Sequence, residues 1–303
     1  MRKLFLAMAT VALLLASCSK NDTATNSPDV GAEQIVTFDV SSLELDTRYG
    51  EGEQATTLEW YVYADNGIGL TYIQDLSGSK TFSKKTNVNI RMIIGRTYNI
   101  LFWAHADGAP YTIDPSSATM KVEYDKLTAN KESYDAFYNY IEMTVSPSTK
   151  GGVVELRRPF AQLNVATADT SYAEAAGYLL DKTGIEVTTY STMNFRNGRV
   201  SDEITATFNI DTKATGKVEI AGKEYNIISM NYLLIEEKEL PNVTLNMQEA
   251  DGLETLTRKY NAVNVKRNHR TYILGNIFTQ PANFTVEIWE DFNPGDHNYE
   301  QNK

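Results

Sequence analysis

Three histidines, one cysteine and scattered carboxylates are the side chains of this 303-residue chain that could do chemistry. His105 closes a strand-like run in "FWAHADG", His269 lies among cations in "KRNHR", and His297 stands beside Asp296 near the end, so the three do not read as one site. No HExxH, CxxC or nucleophile-elbow pattern pairs a base with a nucleophile or gathers ligands for a metal. Paired carboxylates alone can carry acid–base chemistry, and the densest acidic groups are "IEEKEL" (235–240) and "EIWEDF" (287–292). On strands such residues alternate between faces, and solvated edge charges that discourage aggregation are the simpler reading. The turns "ADNG" (64–67) and "NPGD" (293–296) hold a few oxygens each, a spacing that arises often without calcium. The expectation is a protein that binds rather than catalyses, with no cofactor and no metal.

Cys18 differs because of what precedes it. Met1-Arg2-Lys3 is a short cationic start, and residues 4–16 form an apolar run of the length of a signal-peptide core, roughly 7–15 residues. Such a run is too short to cross a bilayer, which takes about 20. Leu15-Ala16-Ser17-Cys18 resembles the lipobox of bacterial lipoproteins. That resemblance implies a cut between Ser17 and Cys18, after which Cys18 is the first residue and carries the lipid (palmitate and further acyl chains). One acyl chain binds a membrane only marginally, whereas several on one residue hold firmly. The alternatives are a buried structural cysteine, or an ordinary secretory cut with a cysteine beside it by chance. With a single cysteine, no intramolecular disulfide can form.

The elements come next. A net charge of −11 argues against nucleic acid and against a polybasic membrane face. The length accommodates two domains with real cores. Eighteen Tyr and eleven Phe, with abundant Thr and Val, suit pleated, half-buried surfaces. Apolar residues recur at every second position in Val36/Phe38/Val40, Leu58/Trp60/Val62, Val88/Ile90/Met92/Ile94 and Tyr98/Ile100/Phe102/Ala104. The same period returns in Ile204/Ala206/Phe208/Ile210, Val243/Leu245/Met247 and Phe284/Val286/Ile288, the signature of strands with one buried face. "VEIAGKEYNI" reads as a hairpin turning at Ala221-Gly222. Residues 170–184 read as the one short helix, capped at Thr170 or Ser171 and stopped by Gly184. The expected organisation is a signal peptide (1–17), a polar tether (18–33), and two antiparallel β-sandwich domains, 34–168 and 169–303.

The stretches "GRTYNILFWAHADGAPYTID" (95–114), "ANKESYDAFY" (129–138), "ELRRPFAQLNVAT" (155–167) and "RNHRTYILGNIFT" (267–279) together resemble the fimbrillin-like proteins, lipoprotein precursors of type V pili in anaerobic Gram-negative bacteria. The resemblance spans nearly all of the chain after residue 18. It implies two tandem transthyretin-like β-sandwiches, a structural role for Arg157-Arg158-Pro159, an outer-membrane, surface-exposed location or a place in a fimbrium, and other pilus subunits as partners. Polymerising members lose their first strand when an arginine-specific protease cuts in the following loop, and a neighbour's strand fills the groove by β-strand exchange. Here "IVTFDVSS" (35–42) would be that strand and the Arg48–Tyr49 bond in "LDTRYGEGEQ" the cut; the other reading of Arg48 is an ordinary surface arginine in a subunit that keeps its strand. Trp60, Trp103 and Trp289, with Tyr138 and Tyr140, offer a second kind of partner. Their rings suit the apolar faces of surface glycans, although core packing or cross-strand pairing would equally use them.

Overall fold

The computed structural model describes residues 30–42, 53–279 and 284–289. Strands β1 to β20, numbered along the chain, make up most of them. The first sandwich sets the three-stranded sheet β4 (Lys85–Ile93), β1 (Glu33–Ser42), β9 (Gly151–Leu156) against the four-stranded sheet β3 (Leu70–Thr81), β2 (Thr57–Asp65), β5 (Thr97–His105), β8 (Ala136–Thr144). Val36, Phe38 and Val40 of β1 point into the space between the sheets and are at most 2% exposed. They meet Leu58, Val62, Ile100 and Phe102 from the facing sheet, with the rings of Phe38 and Phe102 5.4 Å apart. Burying each such side chain is worth ~1.5–3 kcal/mol.

β1 is the middle strand of its sheet. It runs antiparallel to β4 from Glu33↔Ile93 to Ser41↔Lys85 and parallel to β9 from Thr37↔Gly151 to Ser42↔Leu156.

The second sandwich repeats the scheme. One sheet is β13 (Lys217–Ile220), β14 (Lys223–Leu234), β10 (Phe160–Thr167), β19 (Arg270–Gly275), β20 (Phe284–Trp289). Its β10, like β1, is central, antiparallel to one neighbour (β14) and parallel to the other (β19). The facing sheet is β17 (Thr255–Tyr260), β16 (Val243–Glu249), β11 (Leu180–Asn194), β7 (Thr119–Val122), β6 (Tyr111–Asp114), with β12 (Val200–Thr212) paired along β11. A small ladder joins β15 (Glu237–Leu240) to β18 (Val263–Lys266).

The chain is therefore all-β with two sandwiches, as expected. Strand pairing crosses residue 168, where the two domains were expected to meet: β7 and β10 precede it and pair with strands that follow it, and β6 joins the same sheet through β7. The hairpin turns where expected, with positive φ at both Ala221 (51°) and Gly222 (75°), the geometry of a type I′ turn.

The expected helix is much shorter than 170–184. α1 covers only Thr170–Ala175 behind Asp169, and β11 begins at Leu180. Pairing on both sides with β12 and β16 overrides the local helix preference of this stretch. Gly184 does not stop a helix. It lies in β11 where the register to β12 shifts, and a Cβ there would sit 2.7 Å from the Ile210 side chain.

Candidate functional site

The sheet containing β2, β5 and β8 has two apolar faces. One completes the first core, and the other carries Tyr61, Tyr63, Leu101, Trp103, Tyr138 and Tyr140 against the second sandwich. β5 is consequently buried without alternation from Tyr98 to Ala104. Trp103 lies 5.8 Å from Tyr111 of β6 and 5.5 Å from Phe195, which follows β11.

A buried ion pair pins this seam. Arg158 donates from Nε and Nη2 to the two oxygens of Asp135, both at 2.7 Å, and its guanidinium stacks 4.4 Å from the Phe137 ring. The Arg158 backbone N–H donates to Asn268 Oδ1 at 3.2 Å, and Arg270 of β19 is buried close enough to act on Asp135. Burial pushes the Asp135 carboxyl up, against the pull of Arg158 and Arg270. Asp135 comes from stretch 129–138, Arg158 from 155–167, and Asn268 and Arg270 from 267–279. Three of the four stretches that carry the fimbrillin-like resemblance thus close on one charged group, the structural role expected of Arg157-Arg158-Pro159.

A second carboxylate, Asp169, ties down residues 277–279. It accepts from the backbone N–H groups of Ile277 (3.0 Å), Phe278 (3.0 Å) and Thr279 (2.9 Å), and from the hydroxyls of Thr279 and Thr167. Burial pushes its pKa up, and these hydrogen bonds more than offset that, holding it below the ordinary range.

Between the sandwiches lies a surface groove of about 720 Å³. Tyr138, Asn139 and Tyr140 of β8, with Val153 and Glu155 of β9 and Arg157 beyond it, form one side. The turn Phe195-Arg196-Asn197-Gly198 between β11 and β12, with Arg267 between β18 and β19, forms the other. Tyr138 and Phe195 are 5.3 Å apart, and Arg196 lies 5.7 Å over the Tyr63 ring. Arg267 donates from Nε to the Ile235 carbonyl at 3.2 Å. Its buried Nη2, like the buried Tyr140 hydroxyl, has no hydrogen-bond partner among the described residues. Burial raises the pKa of both groove tyrosines, opposed by Arg267 and Arg157 at Tyr138 and by Arg196 at Tyr140. Both hydroxyls are therefore donors at neutral pH.

Of the residues singled out in the sequence, Tyr138 and Tyr140 line this groove, while Trp103 is 1% exposed in the seam. Trp60 is half-buried and donates from Nε1 to the Leu76 carbonyl at 2.9 Å. These two Trp side chains belong to packing rather than to a flat glycan platform. Trp289 ends β20, but its side chain lies outside the described residues, as do Ser17, Cys18, Arg48, Tyr49 and His297.

The remaining histidines are framework. His105 Nδ1 lies 2.8 Å from the Ala106 carbonyl and Nε2 3.8 Å from Glu59, while His269 Nδ1 lies 2.6 Å from the Arg267 carbonyl. Burial lowers the His105 pKa, and its contacts with Glu59 and Ala106 outweigh that and leave it raised. In "IEEKEL", Glu237 and Glu239 are exposed on β15, and Lys238 pairs with Glu203. "ADNG" is a turn in which Asp65 and Asn66 accept from the backbone of residues 67–69. Arg196 and Arg267 escaped the sequence reading; the Asn197-Gly198 turn flanked by Arg196 and Arg199, and the cation run before His269, were the local signals.

Two joined β-sandwiches define the class of fold, and solved structures are similar to it in fold. A candidate cell adhesion protein from Bacteroides ovatus superposes with a TM-score of 0.52 at 14% identity, covering 86% of this chain and 97% of that one. A candidate polysaccharide-binding protein from Bacteroides thetaiotaomicron gives 0.50 at 12% identity, covering 84% and 95%. A fimbrial assembly protein from Parabacteroides distasonis gives 0.46 at 13%, covering 84% and 96%. The fold is the one that the fimbrillin-like resemblance implied. Residues 55–302 match the model of DUF6562, a family of unknown function, and the chain belongs to that family. No curated protein matches the sequence.

Proposed function

We propose that the protein is a fimbrillin-like surface lipoprotein, anchored in the outer membrane through Cys18, that serves in pilus assembly as an accessory, tip or anchor subunit and so in adhesion. The observation that carries this reading is the place of β1. Removing a central strand would leave a slot between β4 and β9, with backbone groups unpaired on both walls and a vacant apolar row once filled by Val36, Phe38 and Val40. A neighbour's strand of matching alternation would fit such a slot through main-chain hydrogen bonds and alternate side-chain pockets.

Arginine-specific proteolysis of the folded protein tests it. The expected products are a new amino terminus at Tyr49 and, once the cut strand is displaced, assemblies larger than the monomer. Folded protein that resists cutting at Arg48 would leave a subunit that keeps its strand.

A second reading, a non-polymerising surface protein that binds a glycan, is favoured by the groove between the sandwiches. The candidate polysaccharide-binding protein among the similar folds agrees with it.

A further inference from the structure

We propose that the groove between β8, β9 and the β11–β12 turn binds a carboxylate-bearing sugar, such as a uronic or sialic acid residue of a surface glycan. This rests on the surface reading only for where such a glycan would be met.

Charge gives the first argument. Three guanidiniums, Arg157, Arg196 and Arg267, come from three separate connections between strands to one groove on a chain of net charge −11, and none forms an ion pair among the described residues. Among the described residues Glu155 is the one carboxylate in the lining, with Glu236 and Glu142 near enough to act on Tyr138 and Tyr140. Guanidinium matches a carboxylate with two parallel hydrogen bonds, a geometry that lysine lacks.

The second argument is the pair of donors without partners. Tyr140 Oη and Arg267 Nη2 belong to lining residues and have no hydrogen-bond partner among the described residues; leaving such a group unpaired is unfavourable, and an anionic ligand would supply the acceptor. The third is shape and surface. A volume of about 720 Å³ falls within the ~300–1,000 Å³ of small-molecule sites. Half-buried Tyr138 and Tyr140 offer rings to sugar C–H faces, and Asn139 Oδ1 and Asn197 Nδ2 can meet hydroxyls, the other amide atoms being bonded to the Glu155 carbonyl and the Arg199 N–H. Extended polyanions such as nucleic acid are disfavoured by the acidic remainder of the surface.

Calorimetric titration of the full chain with a glucuronate-containing tetrasaccharide, sialyllactose and lactose tests the proposal and separates the two acid sources. At least one acidic sugar should bind, lactose should bind about tenfold more weakly or not at all, and added salt should weaken the acidic complex. Arg157 and Arg196 are exposed, so the Arg157→Gln/Arg196→Gln double variant should keep the parent melting temperature while losing roughly tenfold or more in affinity. Tyr140→Phe removes one donor without removing the ring and should also weaken binding. Equal binding of lactose, undiminished affinity in the double variant, or no acidic sugar bound at millimolar concentration would each overturn it. Because the isolated chain is used, failure here leaves the pilus reading standing, and failure of strand exchange leaves this groove untouched.

Discussion

At the residue scale, Asp135 and Arg158 set the terms for the seam. Both side chains are about 1–2% exposed and bonded face to face. Desolvation consumes much of what the pair gains, so its net contribution is modest, whereas breaking it strands a charge at a cost of ~3–5 kcal/mol. Asp135→Asn should therefore lower stability by about that amount in urea unfolding, because Arg158 keeps its charge with a weaker acceptor. The double variant Asp135→Leu/Arg158→Met should recover part of the loss, since it removes both charges of the pair and keeps the volume, while buried Arg270, which also acts on Asp135, keeps its own. If the single and double variants lose equally, the cost comes from packing around Phe137 and not from the stranded charge. Arg157, one residue away, is exposed and faces the groove. One dipeptide thus holds the seam with its second arginine and lines a candidate binding surface with its first.

At the element scale, β1 has no room to drift against β9. Gly151 has φ of 123°, and a Cβ there would overlap the Thr37 carbonyl, whereas a Cβ at Gly152 would meet nothing within 4 Å. Gly151→Ala should thus loosen the β1–β9 ladder, costing ~1–3 kcal/mol as backbone strain and raising amide exchange across residues 35–42. Gly152→Ala should change the exchange little; equal effects of the two would remove the close approach as the cause. The strand itself was legible in the sequence because Val36, Phe38 and Val40 alternate with polar neighbours on a sheet with one buried face. β5 reads less clearly, since Leu101 and Trp103 on its second face are buried in the seam, and alternation cannot report a strand buried on both sides. Residues 180–184 carry helix-compatible types, and only their partners in β12 and β16 make them strand. The groove was half legible: Tyr138 and Tyr140 stood out as paired aromatics. Arg157, Arg196 and Arg267 meet through pairings between distant segments, which no local window contains.

At the scale of the whole molecule, the order Cys18, β1, Arg48 along the chain fixes what a cut can do. With Cys18 lipidated as proposed, cleavage after Arg48 would sever the anchored segment and β1 from everything that follows, but it would not by itself release the rest. β1 would stay in its slot, paired on both sides and holding three buried side chains worth ~1.5–3 kcal/mol each. Gln34 adds hydrogen bonds to the carbonyls of Ser146 (2.8 Å) and Thr149 (3.1 Å). Anchoring would then pass from a covalent link to a strand seated in a sheet, and release would await a competing strand. Membranes carrying the protein, treated with an arginine-specific protease, should thus show cut protein that still sediments with the lipid. Mild urea or an excess of a peptide with the sequence of residues 35–42 should free the globule into the supernatant, while a Cys18→Ser variant should never sediment. Release on cutting alone would mean that β1 does not hold, and sedimentation of the Cys18→Ser variant would place the anchor elsewhere.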